Sequence, residues 1–305
     1  MSLSDHVRTL GRGPGRSRSL TRNEAEDAMA LMLSGKAAPE AVGALLMLLR
    51  MKGETAEEIA GLAHGAQANL PELGHVDLDW PSYAAGRTRG LPWFLLSAKL
   101  VAMAGHSVLI HGFNGPDAAV RAGVAALGIG GEGNLRYRAL ETLSPDLFRL
   151  LRLRDVLGLR SCVNTICRML NPGRAKASVQ GVFHPSYRML QADAAQVLGW
   201  DSLSVIKGGG GEFECNPSKD VAGFGLRAGA HWQATRAASI ATPRRLADDS
   251  DMSALPALWN GARSDPFAEQ IVLATATLAL DTLGDATPDT TAHRLWANRA
   301  SELAA

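Results

Sequence analysis

Residues 203–211 read Leu-Ser-Val-Ile-Lys-Gly-Gly-Gly-Gly, a short apolar run that ends in glycine. Residues 108–112, Val-Leu-Ile-His-Gly, have the same form. Short apolar runs that glycine follows closely indicate strands, and helix-like stretches at 92–105, 117–127 and 187–198 separate them. The alternation predicts an α/β domain with a mostly parallel central sheet, whose ligands gather at the carboxyl ends of the strands.

Helix-start signals dominate the first seventy residues. Thr21 and Glu24 form a capping box, in which the hydroxyl accepts a backbone N–H and the carboxylate reaches back to the cap, and Thr55 and Glu58 form a second. Pro39 suits the first turn of a helix between them. These signals predict a small bundle of three amphipathic helices. The first twenty residues hold too little apolar surface to pack alone, and they predict a mobile or partner-ordered loop.

The composition is that of a globular protein. The chain has 305 residues, of which 46% are hydrophobic and 20% charged, with ample material for a core. No apolar run approaches the roughly 18 residues of a membrane span, and the N-terminus does not resemble a secretory signal. Three cysteines without a Cys-x-x-Cys pair argue against a disulfide framework and a structural zinc site. We expect a cytoplasmic protein with buried thiols and no membrane partner.

Positive charge is unevenly distributed, although the net charge is only +1. Five arginines crowd residues 8–22, and nine basic residues lie among three acidic ones between residues 133 and 176. Clustered arginines can neutralise the phosphates of a nucleic acid. Taken alone, each of these arginines is better explained as part of a solvent-exposed helix face. The candidate nucleic-acid contacts are Arg12, Arg16, Arg18, Arg136, Arg138, Arg149, Arg152 and Arg154, with Tyr137 as a candidate for stacking on a base.

Several motifs occur in a fixed order over roughly residues 20–280. They are Met32-Leu33-Ser34-Gly35, Leu48 to Thr55, His111-Gly112, Leu157 to Arg160 with Asn164, Asn171-Pro172 and Lys207 to Pro217. In this ordered set the chain resembles the anthranilate phosphoribosyltransferase family, glycosyltransferase family 3.

The resemblance implies a fold of the nucleoside phosphorylase and phosphoribosyltransferase type. Residues 1–69 would be an N-terminal arm and a small helical domain that carries the dimer interface, completed by helices within 160–190. Residues 70–305 would form the large α/β domain. It also implies an ancestral reaction, in which an aromatic amine displaces pyrophosphate from phosphoribosyl pyrophosphate with the aid of magnesium.

The chain departs from the family where a diphosphate needs N–H donors, cations and a metal held by carboxylates. Residues 83–90, Tyr-Ala-Ala-Gly-Arg-Thr-Arg-Gly, replace Gly-Thr-Gly-Gly-Asp, and residues 92–95, Pro-Trp-Phe-Leu, replace Asn-x-Ser-Thr. Residues 110–113, Ile-His-Gly-Phe, replace Lys-His-Gly-Asn, and the Asp-Glu pair reads Phe213-Glu214, with Glu212 nearby. We predict that the phosphate cradle is lost and that Glu214 and Glu212 hold magnesium weakly at best.

The residues that remain as candidates for phosphate or substrate binding are Gly86, Arg87, Thr88, Arg89, His111, Gly112, Arg160, Asn164 and Lys207. Arginine pairs bind phosphate well, but a solvated surface loop would explain Arg87 and Arg89 equally. No catalytic residue is assigned. Residues 208–211 lack a Gly-Lys-Ser/Thr pattern that opens a helix, so we predict a flexible loop on the cleft rim.

Three segments are most similar to the YbiB-type TrpD-like subgroup of the family: 82–87, 184–187 and 211–217. That resemblance implies a homodimer that binds nucleic acid, with transferase activity lost or weakened, and this is the leading prediction. The alternative is an active phosphoribosyltransferase or glycosyltransferase that uses phosphoribosyl pyrophosphate and magnesium with an aromatic amine or another acceptor. A protein-interaction scaffold would bind neither ligand.

Overall fold

The computed structural model describes residues 2–13, 15–84, 90–113, 119–244 and 250–299. The first helices form a bundle: α1 (Leu3–Gly11), α2 (Arg22–Leu33), α3 (Pro39–Lys52) and α4 (Ala56–Gln67). Both capping boxes are present, with the Thr21 and Thr55 hydroxyls accepting from the N–H groups of Glu24 and Glu58. Pro39 lies in the first turn of α3. The predicted helices at these positions are therefore confirmed.

The prediction of a loop over the first twenty residues is wrong for residues 3–11, which form α1. Leu3, His6 and Leu10 share one helical face and are buried, and α1 lies against α3. The carboxylate of Asp5 accepts the N–H of Ser2 at 3.0 Å and so caps the first turn. A helix this short is marginal in isolation, but docking on a preformed bundle supplies the missing stabilisation.

The large domain is built on a seven-stranded sheet of order β3-β2-β1-β4-β5-β6-β7. The strands are β1 (Leu78–Ser82), β2 (Val108–Gly112), β3 (Leu135–Ala139), β4 (Ala177–Val182), β5 (Ser202–Lys207), β6 (Val221–Arg227) and β7 (Ala230–Arg236). Strands β1 to β5 pair in parallel, whereas β6 and β7 add an antiparallel hairpin at one edge. The predicted mostly parallel sheet is confirmed.

Helices cover both faces of this sheet, which is why its central strands are apolar on both sides. Ile206 belongs to the core beneath one helical layer, and its neighbour Val205 belongs to the core on the other face. The helices that follow α4 are α5 (Phe94–Met103), α6 (Ala119–Ala126), α7 (Leu140–Leu143), α8 (Pro145–Arg152), α9 (Arg154–Leu157), α10 (Val163–Arg168), α11 (Tyr187–Val197), α12 (Ala254–Trp259), α13 (Pro266–Leu283) and α14 (Pro288–Asn298).

The helical bundle sits against one face of the sheet. Helix α4 contacts both α10 and α11, and the bundle shares a single core with Val182, Val205 and Leu226 of the strands. The segments after β1, β2, β4 and β5 leave the sheet at their carboxyl ends, where ligands of parallel sheets bind. No helix in the described ranges is long and apolar enough to cross a membrane.

Candidate functional site

The residues that follow the glycines after β5 are packed into the protein, whereas Gly210 within residues 208–211 is exposed. Glu212 and Glu214 are each 1% exposed, and Phe213 is fully buried. A Cβ atom on Gly181 or Gly208 would overlap the backbone of Glu212. Glycine is required at both positions because the loop crosses the ends of β4 and β5 at backbone contact distance.

An aromatic cluster fixes this loop to the start of α5. The ring of Phe213 meets Trp80 edge-on at 5.4 Å, and Trp80 stacks on Phe94 at 5.9 Å. The adjacent carboxylate of Glu214 accepts the N–H of Phe94, the first residue of α5, at 3.1 Å. The positive end of the α5 dipole therefore already faces an anion that belongs to the chain itself.

The second carboxylate of the loop also binds backbone. Glu212 Oε1 accepts the N–H of Ala84, 3.3 Å away, at the end of the segment that follows β1. Among the described residues no three His, Cys, Asp or Glu side chains come together as metal ligands do. Glu212 and Glu214 thus serve as internal hydrogen-bond acceptors within the part of the chain that the structure describes.

His111 lies in a buried polar chain beneath the carboxyl edge of the sheet. Its Nδ1 is 2.8 Å from the Tyr83 hydroxyl, and its Nε2 is 3.1 Å from Asp79 Oδ1. Ser178 Oγ donates to the other oxygen of Asp79 at 3.1 Å. Burial raises the pKa of Asp79, an effect that His111 and Ser178 partly offset, and burial raises the pKa of Tyr83 well above its ordinary value. His111 therefore has no exposed surface to offer a ligand.

Arg168, which sequence reasoning missed, fastens several of these segments together. The guanidinium donates to the carbonyls of Gly181 and Tyr83 at 2.9 and 3.0 Å, and to both the carbonyl and the side-chain oxygen of Asn164. Burial lowers the pKa of Arg168, and the nearby Glu212 opposes that effect. The available sequence signal was the position of Arg168 between Asn164 and Asn171. An arginine as buried as this one is rare unless it is paired.

Two of the predicted substrate residues meet in one pocket. Arg160 and Asn164 line a cavity of about 230 Å³ between the end of α3, the α9–α10 connection and the start of α11. Asn164 Oδ1 is already bound to Arg168. Gly112 is buried at the end of β2, and Lys207 is exposed at the end of β5. Gly86, Arg87, Thr88 and Arg89 lie outside the described residues.

The N-terminal arginines form a shallow basic concavity of about 510 Å³. Its lining contains Arg8, Arg12, Arg16 and Arg18, with Asp5 and Glu24 as acids. Arg18 makes a bidentate pair with Glu24 at 2.6 and 2.7 Å. Arg12 and Arg16 are exposed and make no side-chain hydrogen bond to any residue that the structure describes. Those two guanidinium groups are the ones open to an anionic partner.

The remaining candidate arginines have partners within the chain. Arg149 pairs with Asp146 at 3.4 Å, while Arg152 and Arg154 pair with Asp155 at 2.6 and 3.4 Å. Arg136 donates to the carbonyl of Leu73, and Arg138 to that of Tyr137. Tyr137 packs on the core beside β3. Surface ion pairs of this kind are weak and exchange readily for other anions.

A small helical bundle seated on an α/β domain with a mainly parallel sheet defines the nucleoside phosphorylase and phosphoribosyltransferase type of fold. Residues 4–69 match the family described as glycosyl transferase family, helical bundle domain. The anthranilate phosphoribosyltransferase of Hyphomonas neptunium is 28% identical over 93% of this chain and 88% of its own length. In its helical bundle and along most of its length the chain is thus similar to the anthranilate phosphoribosyltransferases of glycosyltransferase family 3.

Solved structures agree on the fold. Anthranilate phosphoribosyltransferase from Thermus thermophilus superimposes with a TM-score of 0.79 at 22% identity, covering 97% of this chain and 95% of that one. The Saccharomyces cerevisiae enzyme in complex with PRPP and Mg gives 0.76 at 16% identity, over 98% and 93% of the two chains. Alignments with several further anthranilate phosphoribosyltransferases span only 61% of those relatives.

Proposed function

We propose that this chain is a nucleic-acid-binding, homodimeric member of its family in which phosphoribosyl transfer is lost or greatly weakened. Its resemblance to the YbiB-type TrpD-like subgroup supports the proposal. The observation that carries the loss of transfer is the contact between the Glu214 carboxylate and the N-terminus of α5. An incoming diphosphate would meet a carboxylate there in place of open N–H donors.

Loss of transfer follows from charge. A leaving diphosphate must be stabilised by donors and cations as its negative charge develops. Glu214 at the first turn of α5 and Glu212 on the Ala84 N–H supply two buried negative charges instead. Both carboxylates occupy backbone N–H groups that a phosphate would otherwise use.

Nucleic-acid binding rests on the basic concavity of the arm. Arg12 and Arg16 are exposed and follow α1, which ends at Gly11, and Arg8 and Arg18 line the same concavity. A nucleic-acid strand carries regularly spaced phosphates that match several arginines at once, and binding releases the counterions condensed on it. Affinity should therefore fall steeply as salt concentration rises.

The test is fluorescence anisotropy of a labelled single-stranded oligodeoxynucleotide between 25 and 200 mM salt (about the range over which such affinities change steeply). Replacing Arg12 and Arg16 with glutamine should weaken binding and reduce the salt slope by about 1.4, that is, about 0.7 for each lost phosphate contact. Arg294→Gln is the matched control, because Arg294 is an exposed arginine on α14, far along the chain and in the other helical layer.

Calorimetric titration with phosphoribosyl pyrophosphate and magnesium completes the test. We expect no saturable heat at millimolar ligand. Saturable binding that Arg160→Ala abolishes would overturn the loss of transfer, and the absence of oligonucleotide binding at low salt would overturn nucleic-acid recognition.

A further inference from the structure

The pocket that contains Arg160 has features of a ring-binding site. It lies where the bundle meets the carboxyl end of β4, and its walls include Arg50, Phe183, His184, Tyr187 and Gln191. Its volume of about 230 Å³ is below the roughly 300 Å³ at which sites for drug-sized ligands begin. The space therefore suits one planar ring system with a polar edge.

A buried acceptor in the wall has no partner. Gln191 is 1% exposed, and its Oε1 makes no hydrogen bond to any residue that the structure describes. A buried carbonyl oxygen without a donor destabilises the fold, so a ligand that donates an N–H to Gln191 Oε1 supplies the missing hydrogen bond. The neighbouring Asn164 and Arg168 already bind each other, and Arg168 also binds the backbone. The pocket atom that a ligand donor would satisfy is therefore Gln191 Oε1.

An exposed aromatic ring stands at the mouth of this pocket. Phe183 is 58% exposed, and its ring meets His184 only at an edge, with the centroids 5.1 Å apart and the planes at 79°. One ring face is thus left for another planar group. The Tyr187 hydroxyl donates to Glu54 at 3.4 Å, which holds that side chain in the opposite wall. Exposed phenylalanine faces of this kind are stacking platforms for unpaired bases.

Positive charge surrounds the pocket and continues to the arm. Arg50, Arg160 and Arg168 all line the pocket, and burial together with the charge of Arg154 lowers the pKa of Arg160. Arg50 donates to the carbonyl of Arg160, and Lys52, in the same last turn of α3, donates to Ser19 at 2.6 Å. Ser19 adjoins the basic concavity at Arg18, so a strand bound there can follow positive charge to the pocket.

We infer that this pocket receives a single unpaired base of a nucleic-acid strand, stacked on Phe183 and hydrogen-bonded to Gln191, with its phosphate near Arg160. The inference rests on the proposed nucleic-acid function. A duplex hides both the faces and the pairing edges of its bases, so only a single strand or an extruded base can enter. The site is therefore selective for single strands, whereas the arginine concavity binds any phosphate backbone.

The experiment uses a single-stranded oligodeoxynucleotide that carries 2-aminopurine, whose fluorescence reports stacking, and a duplex of the same length. Wild-type protein should change the 2-aminopurine fluorescence, and Phe183→Ala should remove that change and weaken single-strand binding about tenfold, in line with the loss of one stacked base. Gln191→Met keeps the side-chain length and should weaken it to a similar extent. Duplex affinity should stay within about twofold in both variants.

Two control substitutions lie on α11, the helix that carries Gln191. Met189→Ala removes an exposed apolar side chain of α11 outside the pocket, and Gln196→Met removes an exposed amide there. Neither should alter fluorescence or affinity. Thermal unfolding checks that each variant is folded, and Phe183→Leu keeps apolar bulk without a ring, so it should behave like Phe183→Ala.

The outcomes separate the two proposals. Unchanged single-strand affinity and fluorescence in the pocket variants, together with weaker binding by the Arg12 and Arg16 variant, overturns the pocket and leaves nucleic-acid binding in place. Absence of binding to both oligonucleotides overturns both. Equally tight binding of a free 2-aminopurine mononucleotide would show a nucleotide site and overturn strand recognition.

Discussion

At the scale of single residues, two neighbours change the chemistry of the whole cleft. The ring of Phe213 packs against Trp80, and the adjacent Glu214 accepts a hydrogen bond from the N–H of Phe94. The carboxylate then satisfies an N–H at the first turn of α5 that no side chain of α5 itself caps. Glu214, which the family resemblance assigns to a metal site, thus has a structural role in this chain.

Replacing Glu214 with alanine should lower the free energy of unfolding by about 2 kcal/mol, because the Phe94 N–H would be buried without an acceptor. Glu214→Gln keeps an oxygen in place and should cost about half as much. Chemical denaturation monitored by tryptophan fluorescence measures both. Glu72→Ala is the control, since Glu72 is 87% exposed and should change stability by less than about 0.5 kcal/mol. Equal stability of Glu214→Ala and wild type would show that the contact carries no energy.

At the scale of secondary-structure elements, the sequence predicted features that depend on one helical turn better than features that depend on distant contacts. The capping boxes at Thr21 and Thr55 place α2 and α4 because they act within one turn. Helix α1 was not predicted because its few apolar side chains stabilise a helix only when they pack against α3. The sequence alone does not reveal that contact. The burial of Glu212 and the unpaired Oε1 of Gln191 were not predicted for the same reason: each depends on residues far away in the chain.

The link between the arm and α2 has a predictable pH dependence. Arg18 and the Thr21 cap hold the pKa of Glu24 down at about 2, against an ordinary value of 4.5. A depressed carboxylate pKa stabilises the fold above pH 4.5, and that contribution is lost as the pH falls toward 2. The difference in unfolding free energy between wild type and Glu24→Gln should therefore shrink between pH 6 and pH 3 (a window set by the pKa of about 2 and the ordinary value of 4.5). Screening at the surface limits the change to at most about 1 kcal/mol.

Urea denaturation at several pH values measures this difference. Glu57→Gln, an exposed carboxylate in the first turn of α4, is the control. A difference between wild type and Glu24→Gln that stays constant across this range, or grows as the pH falls, would contradict the role assigned to the pair with Arg18.

At the scale of the whole molecule, the bundle brings together positive charge and exposed apolar surface. Arg50 and Lys52 in the last turn of α3 contact Arg160 and Ser19, and Ser19 adjoins the arm concavity at Arg18. Neither region is visible in a net charge of +1, because acids elsewhere balance it. Binding depends on the local field, which is why the distribution of charge matters more than its sum.

The homodimer is the last expectation at this scale. Met51 of α3 and Val156 of α9 are 80% and 81% exposed. These two helices are neighbours, because Gly43 of α3 lies against Leu157 of α9. A second copy of the chain would cover them, in keeping with the dimer interface that the family resemblance assigns to this domain. Charged residues there should separate the protomers, because each would be buried without a partner.

Sedimentation velocity at micromolar concentration should give a dimer for wild type and a monomer for the Met51→Glu and Val156→Glu double variant. Met189→Glu is the control, as Met189 is a comparably exposed apolar residue on α11. Because a dimer presents two basic concavities to one strand, the monomeric variant should also bind a long oligonucleotide at least about tenfold more weakly than wild type, while short oligonucleotides bind both alike. A wild-type monomer would contradict the homodimer, and a double variant that stays dimeric would show that the interface lies elsewhere. In either case this surface would not explain a difference between long and short oligonucleotides.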